Sequence, residues 1–418
     1  MGRLAMLSTG EEVLHGDITD TNAAWLSQLL YESGFPLSRR VTVGDGLSDL
    51  SAVMAQMATE FDVVIVNGGL GPTSDDNSTL AFAEAFSLPL LQNQHWLTTL
   101  RQRYAAMGRE MPPANIKQAL LPEGAELLDN PVGTACGYAH LVQGCWFFFT
   151  PGVPHEFFKM VEQQVLPRLS QRLTPTNHYC SRFYSFGLSE SGLEQTFSDL
   201  GLPPSYTLGY RSALPFIEVK LFGPDGQART IVEQQIARRL GDNLVGQNHD
   251  LLTQLALLIA EKQPQCRLGV AEQFSGGYLA QWLTSHIALR KNLNQAWVLP
   301  QDTPLTLAEQ NPLAAALALA TAAKERTGSD IGLAIGPSHE GDITVAIATP
   351  TGDFGQHLQP RRQYGFEDWR KMAATVVLDM LRRYYSERPM FGQFESLQRI
   401  NDIHLPPVAH CDQSPNHI

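Results

Sequence analysis

Paired cysteines are missing from this chain. The five that exist, Cys136, Cys145, Cys180, Cys266 and Cys411, are scattered, with no CxxC and no histidine partner at zinc spacing. That excludes a zinc finger and a disulfide framework, and a dispersed odd set predicts a reducing compartment. Long apolar runs are missing too: Trp146 to Phe149 suffices only for a short buried strand. The opening MGRLAMLSTGEE reaches acidic residues before a signal-type apolar core forms, so the expectation is a cytoplasmic protein without a membrane partner. Positive charge is scarce, with 30 Lys and Arg against 42 Asp and Glu and a formal net charge of -12. An acidic chain repels phosphate backbones, so nucleic acid is not an expected partner. The pairs Arg39-Arg40 and Arg238-Arg239 are too short to reverse this and read as solvated faces. The apolar and charged fractions, 43% and 17%, are those of a globular protein. At 418 residues, two or three domains are expected.

What is present, in the first third, is an alternation of strand and helix signals. Leu4 to Leu7 is a short apolar strand. Asn22 to Ser33 predicts a helix with Trp25, Leu26, Leu29 and Leu30 on one face and Gly34 as its stop. Arg40 to Val43 and Leu47 to Ala58 predict a second strand and helix. Asp62 to Val66 (DVVIV) is the continuous apolar run of a central parallel strand, and it leads through GGLGPT into a helix from about Ser78 to Phe86. This order implies a mostly parallel sheet with right-handed crossovers and helices on both faces. The α/β pattern closes near Leu169, giving a first domain over 1–170. Arg172 to His178 reads as a linker, residues 178–248 as a small α+β module, and 250–386 as a second α/β domain. Residues 387–418 read as a Pro-rich, polar tail that is partly disordered.

Two loops of the first domain carry chemistry. Asn67-Gly68-Gly69-Leu70-Gly71-Pro72-Thr73-Ser74-Asp75-Asp76 lies between the buried strand and a helix. Glycines there let backbone N–H groups approach an anion at a helix N-terminus, on the carboxyl edge of the sheet. It is neither a Walker A loop nor GxGxxG. A plain strand-to-helix turn with Asp as N-cap accounts for the same residues. The second loop, Ser8-Thr9-Gly10-Glu11-Glu12 with Gly16, Asp20, Thr21 and Asn22, leaves a strand at the same edge, and Asp45 falls there too. Thr21 and Asn22 read as helix-capping residues. Crowded carboxylates beside a phosphate loop call for a bridging cation, Mg²⁺ or a similar hard ion.

STGEEVLHGDITDTN, VNGGLGPTSDD, KQALLPEGAELLDNPVGTACGY and TPGVPHEF, in that order over Arg3 to Leu169, resemble the CinA family. The first part also resembles the molybdopterin-binding fold of molybdenum cofactor biosynthesis proteins. Phe186 to Gln195 (FGLSESGLEQ) resembles the family's linking domain, and the C-terminal region resembles, less well, its nicotinamide mononucleotide deamidase domain. The resemblance implies an ADP-ribose pyrophosphatase dependent on a divalent metal and helped by K⁺. It implies catalytic roles for Asp76, Asp75 and Glu11, metal contacts from Asp20, Asp45 and Asp76, and binding of a small phosphorylated nucleotide by Thr9, Gly10, Asn22, Gly68, Gly69, Gly71, Thr73 and Lys117. Two departures stand out: Ser78 where the family usually has Thr, and Ile116 where it usually has a basic residue before Lys117.

The deamidase signature, Ala-Glu-Ser-Cys-Thr-Gly-Gly in the family, reads Ala271-Glu272-Gln273-Phe274-Ser275-Gly276-Gly277 here. Gln273 stands at the nucleophile position, and an amide is no acyl-transfer nucleophile. Ser275 reads as a cap of the following helix, with a displaced nucleophile as the alternative, and His339 and Glu340 as part of an exposed turn, with a general base and its partner as the alternative. The framework helices keep their apolar faces, so this domain is expected to fold and to serve in homodimer contacts. Three functions follow: a metal-dependent pyrophosphatase, a nicotinamide mononucleotide amidohydrolase, and a non-catalytic nucleotide- or pterin-binding protein. Asp75, Asp76 and Glu11 favour the first over the third, and Gln273 counts against the second.

Overall fold

The computed structural model describes residues 2–177, 179–301, 303, 311–338 and 341–407. The chain divides into two compact units, Met1–Tyr179 and Cys180–Ile418.

The first unit runs β1 (Leu4–Thr9), α1 (Glu11–Leu14), α2 (Thr21–Glu32), β2 (Leu37–Val43), α3 (Leu47–Glu60), β3 (Val63–Asn67), α4 (Ser78–Ala85), β4 (Leu90–Gln92), α5 (Gln94–Ala106), β5 (Leu120–Pro122), β6 (Glu126–Leu128), β7 (Gly137–Val142), β8 (Cys145–Thr150), α6 (Pro154–Met160) and α7 (Leu166–Arg172). Its main sheet has the order β2-β1-β3-β8-β7-β6. The first four strands are parallel, and β7 and β6 join antiparallel. Both faces are covered, and the alternation of side chains along each strand divides them. Ala5, Leu7, Val64, Val66, Phe147 and Phe149 pack under α3, α4 and α5. Leu4, Met6, Val63, Ile65 and Phe148 pack under α2, α6 and α7. Within DVVIV, Asp62 is exposed just before β3, and Val63 to Val66 are apolar because both faces of the strand are interior; each fully buried side chain of this size contributes about 1.5–3 kcal/mol.

Register places the functional edge. Ser8 pairs with Asn67, and Asn67 with Thr150, so three parallel strands end side by side. The stretch from Arg172 to His178, expected as a linker, is held to this unit where it is described: the Thr176 N–H and hydroxyl both donate to the Gly34 carbonyl, at 2.7 and 3.0 Å.

The second unit runs β9 (Tyr179–Phe186), α8 (Glu190–Phe197), β10 (Thr207–Ala213), β11 (Phe216–Gly223), α9 (Gln227–Leu240), β12 (Leu244–Gln247), α10 (Leu251–Lys262), β13 (Leu268–Glu272), α11 (Tyr278–Ser285), β14 (Leu293–Val298), α12 (Pro312–Thr327), β15 (Ile331–Ile335), β16 (Ile343–Thr349), β17 (Gly352–Pro360), α13 (Phe366–Tyr385) and β18 (Leu397–Leu405). A four-stranded sheet has the order β10-β11-β9-β12, and a six-stranded one the order β14-β13-β15-β16-β17-β18. One apolar core joins Phe186 and Val245 of the smaller sheet to α10, β13 and α13, so 178–248 and 250–386 share an interior. Residues 387–418, expected as a tail, supply β18, paired antiparallel along β17 from Pro360–Leu397 to Asp353–Leu405. LQRINDIHL buries only Leu397, so its pairing with β17 and not its hydrophobicity makes it a strand. Among the described residues no helix is long and apolar enough to cross a membrane.

Asp379 of α13 is 1% exposed and accepts from Arg382 (2.8 and 2.7 Å) and Arg383 (2.6 Å), themselves 6% and 2% exposed. Removing the shared carboxylate leaves buried Arg382 without its counter-charge and Arg383 with only the longer 3.9 Å pair to Asp242. Asp379→Ala is expected to lower stability by about 3–5 kcal/mol, read as a fall in the denaturant midpoint of the second unit.

Candidate functional site

The two loops meet at the ends of β1 and β3. Gly68 has φ +107°, and a Cβ there would lie 2.7 Å from the Thr9 Oγ1 and 2.9 Å from the Thr9 carbonyl oxygen. Gly69, φ +68°, faces Ser78, whose Oγ a Cβ would overlap. Neither conformation nor spacing admits a side chain, so the glycines draw the backbone of one loop onto the other. Ser78 is fully buried and locks the turn: its Oγ donates to the Gly68 carbonyl (2.9 Å) and its N–H to the Gly69 carbonyl (3.2 Å). The hydroxyl that Ser shares with Thr performs this task.

Beneath the loop lies a buried amide pair. Asn67 Nδ2 donates to the Pro151 carbonyl (2.7 Å), while Asn22 Nδ2 donates to Asn67 Oδ1 (3.0 Å) and to the Gly152 carbonyl (2.7 Å). Asn22, expected as a capping residue, is instead inside α2 and 6% exposed. Asp20 caps that helix, accepting from the Ala23 N–H at 2.8 Å, and its other oxygen accepts from the Ser8 hydroxyl at 2.7 Å.

Above these groups opens a cleft of about 510 Å³. It gathers Thr9, Gly10, Asp20, Asn22, Asp45, Gly68, Gly69, Gly71, Asp75 and Asp76 from the sequence expectations. Glu11, Thr73 and Lys117 do not line it. Glu11 turns aside and exchanges hydrogen bonds with Asp45: each backbone N–H donates to the other's carboxylate at 3.1 Å. Glu12, the next residue, faces the cleft in its place. Thr73 donates its N–H (2.8 Å) and hydroxyl to Asp76 Oδ2, and Lys117 Nζ donates to the Thr73 carbonyl at 2.6 Å, so these residues brace the loop from behind. Asp76 is not an N-cap: α4 starts after Asn77, whose amide donates to the Asp45 carbonyl (3.0 Å). Sequence reasoning passed over Gln118, Thr134 and Glu156, which also line the cleft. Gln118 and Glu156 sit in KQALLP and TPGVPHEF, segments noted for their pattern and not for their side chains.

Burial raises the Asp45 carboxyl above its ordinary range, and the charges of Glu12, Asp75 and Glu11 push the same way, against the Glu11 N–H that lowers it. Asp75 moves down, held first by a Thr73 hydrogen bond and least by Lys117. Among the described residues no three carboxylate, histidine or cysteine side chains form a metal cage. Asp20, Asp45 and Asp76 all line the cleft without forming such a cage: Asp20 caps α2, and Asp76 accepts from Thr73. The donor set fits a hard cation only in the mode where one or two carboxylates hold it and ligand phosphates and water complete the shell.

In the second unit, Glu272 is fully buried and accepts from Ser275 Oγ (2.6 Å), Leu279 N–H (2.9 Å) and Ala280 N–H (2.8 Å). Ser275 is thus not the cap of α11; Glu272 takes that part, and Ser275 steadies it. Gln273 is 2% exposed, and its Nε2 faces the carbonyls of Pro300, Gln301 and Thr303 at 3.2, 3.1 and 3.0 Å. Phe274 packs edge-on against Phe366, centroids 5.7 Å apart. Gly276 and Gly277 carry the turn into α11. His339 and Glu340 lie outside the described residues.

Fold and cleft together define an α/β protein whose first unit is of the molybdopterin-binding type, and residues 5–171 match the family described as "Probable molybdopterin binding domain". Over 410 residues the chain is 39% identical to the CinA-like protein of Escherichia coli strain SMS-3-5 and 40% identical to that of strain Crooks, covering 97% of this chain and 100% of each relative. The chain belongs to the CinA-like protein family. A solved structure titled as the protein CinA with unknown function, from Thermoplasma acidophilum, is 28% identical and covers 41% of this chain and 97% of its own, with a TM-score of 0.37.

The raised Asp45 carboxyl has a consequence for stability. A carboxyl that binds its proton more tightly when folded favours the fold at low pH, and that advantage is lost as pH rises through its folded value. Asp45→Asn is therefore expected to raise the melting temperature at pH 7 and to leave it unchanged well below the ordinary carboxylate range. Equal shifts at both pH values would contradict a charge-based cause.

Proposed function

We propose that the first unit hydrolyses the diphosphate of ADP-ribose or a related nucleotide with help from a divalent cation. The observation that carries this reading is the single cleft in which a glycine-built loop, opening toward a helix N-terminus, lies within electrostatic reach of crowded carboxylates. The backbone N–H groups of Gly69 to Gly71 would donate to phosphate oxygens, the Gly68 N–H being taken by the Thr150 carbonyl. Asp45 and Glu12 would hold the cation and orient the attacking water, leaving Asp75 to tune their charge. When bound, the cation would neutralise phosphate charge and lower the pKa of a coordinated water. Loss of the basic residue at position 116 matters less in this reading because Ile116 is surface-exposed while Lys117 still braces the loop. K⁺ would add charge compensation only.

The amidohydrolase reading finds no support in the second unit. Gln273 not only lacks nucleophilicity but has its amide engaged by three carbonyls, and Ser275 is bonded to the carboxylate that caps α11.

Two assays test the proposal. With Mg²⁺, the protein is expected to convert ADP-ribose and water to AMP and ribose 5-phosphate, and excess chelator should reduce turnover at least about tenfold. Binding of ADP-ribose without turnover would instead favour a non-catalytic nucleotide-binding role. For the second unit, no enzyme-like release of ammonia from nicotinamide mononucleotide is expected, and Gln273→Ser alone should not install it, because the side chains around position 273 remain changed. Robust release by the unaltered protein would overturn that assignment.

A further inference from the structure

We propose that Glu156 accepts a hydrogen bond from a sugar hydroxyl of the bound nucleotide and so makes the cleft selective for ribose; this rests on the function proposed above. Glu156 enters the cleft from the first turn of α6. Its carboxylate is held by an assembly built on Asn130. Asn130, fully buried, donates from Nδ2 to Glu156 Oε2 at 2.6 Å and to the Ala135 carbonyl at 2.7 Å. Its Oδ1 accepts from the N–H groups of Val132 (3.1 Å) and Gly133 (3.0 Å), so the amide cannot turn away. Gly133 presses so closely on the same carboxylate that a Cβ would collide with it. Arg103 fastens the loop from outside, donating to the carbonyls of Asn130 (2.7 Å) and Gly133 while lying 5.0 Å from the centre of the Trp96 ring.

One carboxylate oxygen is therefore fixed, and Oε1 has no hydrogen bond among the described residues. Gln118 and Thr134, which line the same cleft, are neutral. Gln118 Nε2 lies 3.4 Å from the Leu70 carbonyl and 3.5 Å from the Thr134 hydroxyl. The carboxylates that act on Asp45 are Glu12, Asp75 and Glu11, not Glu156. The cleft thus adds to the carboxylates beside the phosphate loop one oriented carboxylate from α6, with the neutral amide of Gln118 and hydroxyl of Thr134 on the same lining. A fixed carboxylate in such company suits an O–H donor, as acidic residues do for ribose in other nucleotide sites. A phosphate would be repelled there.

The test is calorimetric titration of the full chain with ADP-ribose and with analogues that each lack one ribose hydroxyl. The parent protein should bind at least one analogue about tenfold to a hundredfold more weakly than ADP-ribose. Glu156→Gln should weaken ADP-ribose by a similar factor and leave that analogue unchanged. Glu156→Asp, which withdraws the carboxylate by one methylene, should act likewise, and melting curves matching the parent show that both variants are folded. ADP-ribose binding without discrimination, or discrimination that survives in Glu156→Gln, overturns the role of Glu156 while the diphosphate reading stands. Failure of the parent to bind ADP-ribose at all overturns both.

Discussion

The cleft depends on satisfying two buried amides. Asn67 ends a strand whose other residues are apolar, and Asn22 lies on the helix packed against it; neither side chain reaches bulk water. A buried amide without partners costs on the order of 1–3 kcal/mol; the two bind each other and the carbonyls of Pro151 and Gly152, which satisfies Asn67 and the Asn22 donors and leaves Asn22 Oδ1 without a partner among the described residues. That exchange ties together α2, β3 and the loop after β8, three segments far apart in the chain. With them tied, Gly68 has one place to go, against Thr9, and the loop above acquires its shape. Replacement of either amide by an apolar group would free the loop even where packing survived.

The second unit is organised around a buried carboxylate at the start of α11. Glu272 remains because it satisfies two backbone donors of α11 and the Ser275 hydroxyl, work that any occupant of this fold needs. Gln273 became compatible with burial by taking carbonyl partners in the 300–303 loop. Its Nε2 is bound there while its Oε1 is buried without a partner among the described residues, and neither atom of an amide is an activated nucleophile. The unit's interior stays continuous through α13, and its paired β18 covers the edge of the sheet that would otherwise stand open.

The first unit was the more legible of the two. DVVIV marks a doubly covered strand, and the glycines after it mark a close approach, because both signals are local. The side chains at the site were less legible. Glu11 and Glu12 are adjacent and chemically alike, yet only Glu12 faces the cleft, since successive helical residues point about 100° apart and the start of α1 sets the phase. Asn22 looked like a cap because Asp20, Thr21 and Asn22 all favour that position; Asp20 won it, which left Asn22 free for a partner 45 residues away. The carboxylates read together as a metal set divide among a cap, a loop brace and an edge, because each met a nearby donor first.

By itself, the sequence determined the α/β class, the parallel order of the first strands and the glycine loop at their carboxyl edge. These follow from periodicity, from backbone freedom at glycine and from side-chain chemistry, all properties of neighbouring residues. Tertiary structure alone decided which carboxylates share the cleft, that Asn130 would orient Glu156, that Glu272 would cap α11, and that a polar C-terminal segment would become β18. Each of those is a choice of partner for a polar group, and partners across a fold are fixed by distance in space, which no local pattern records.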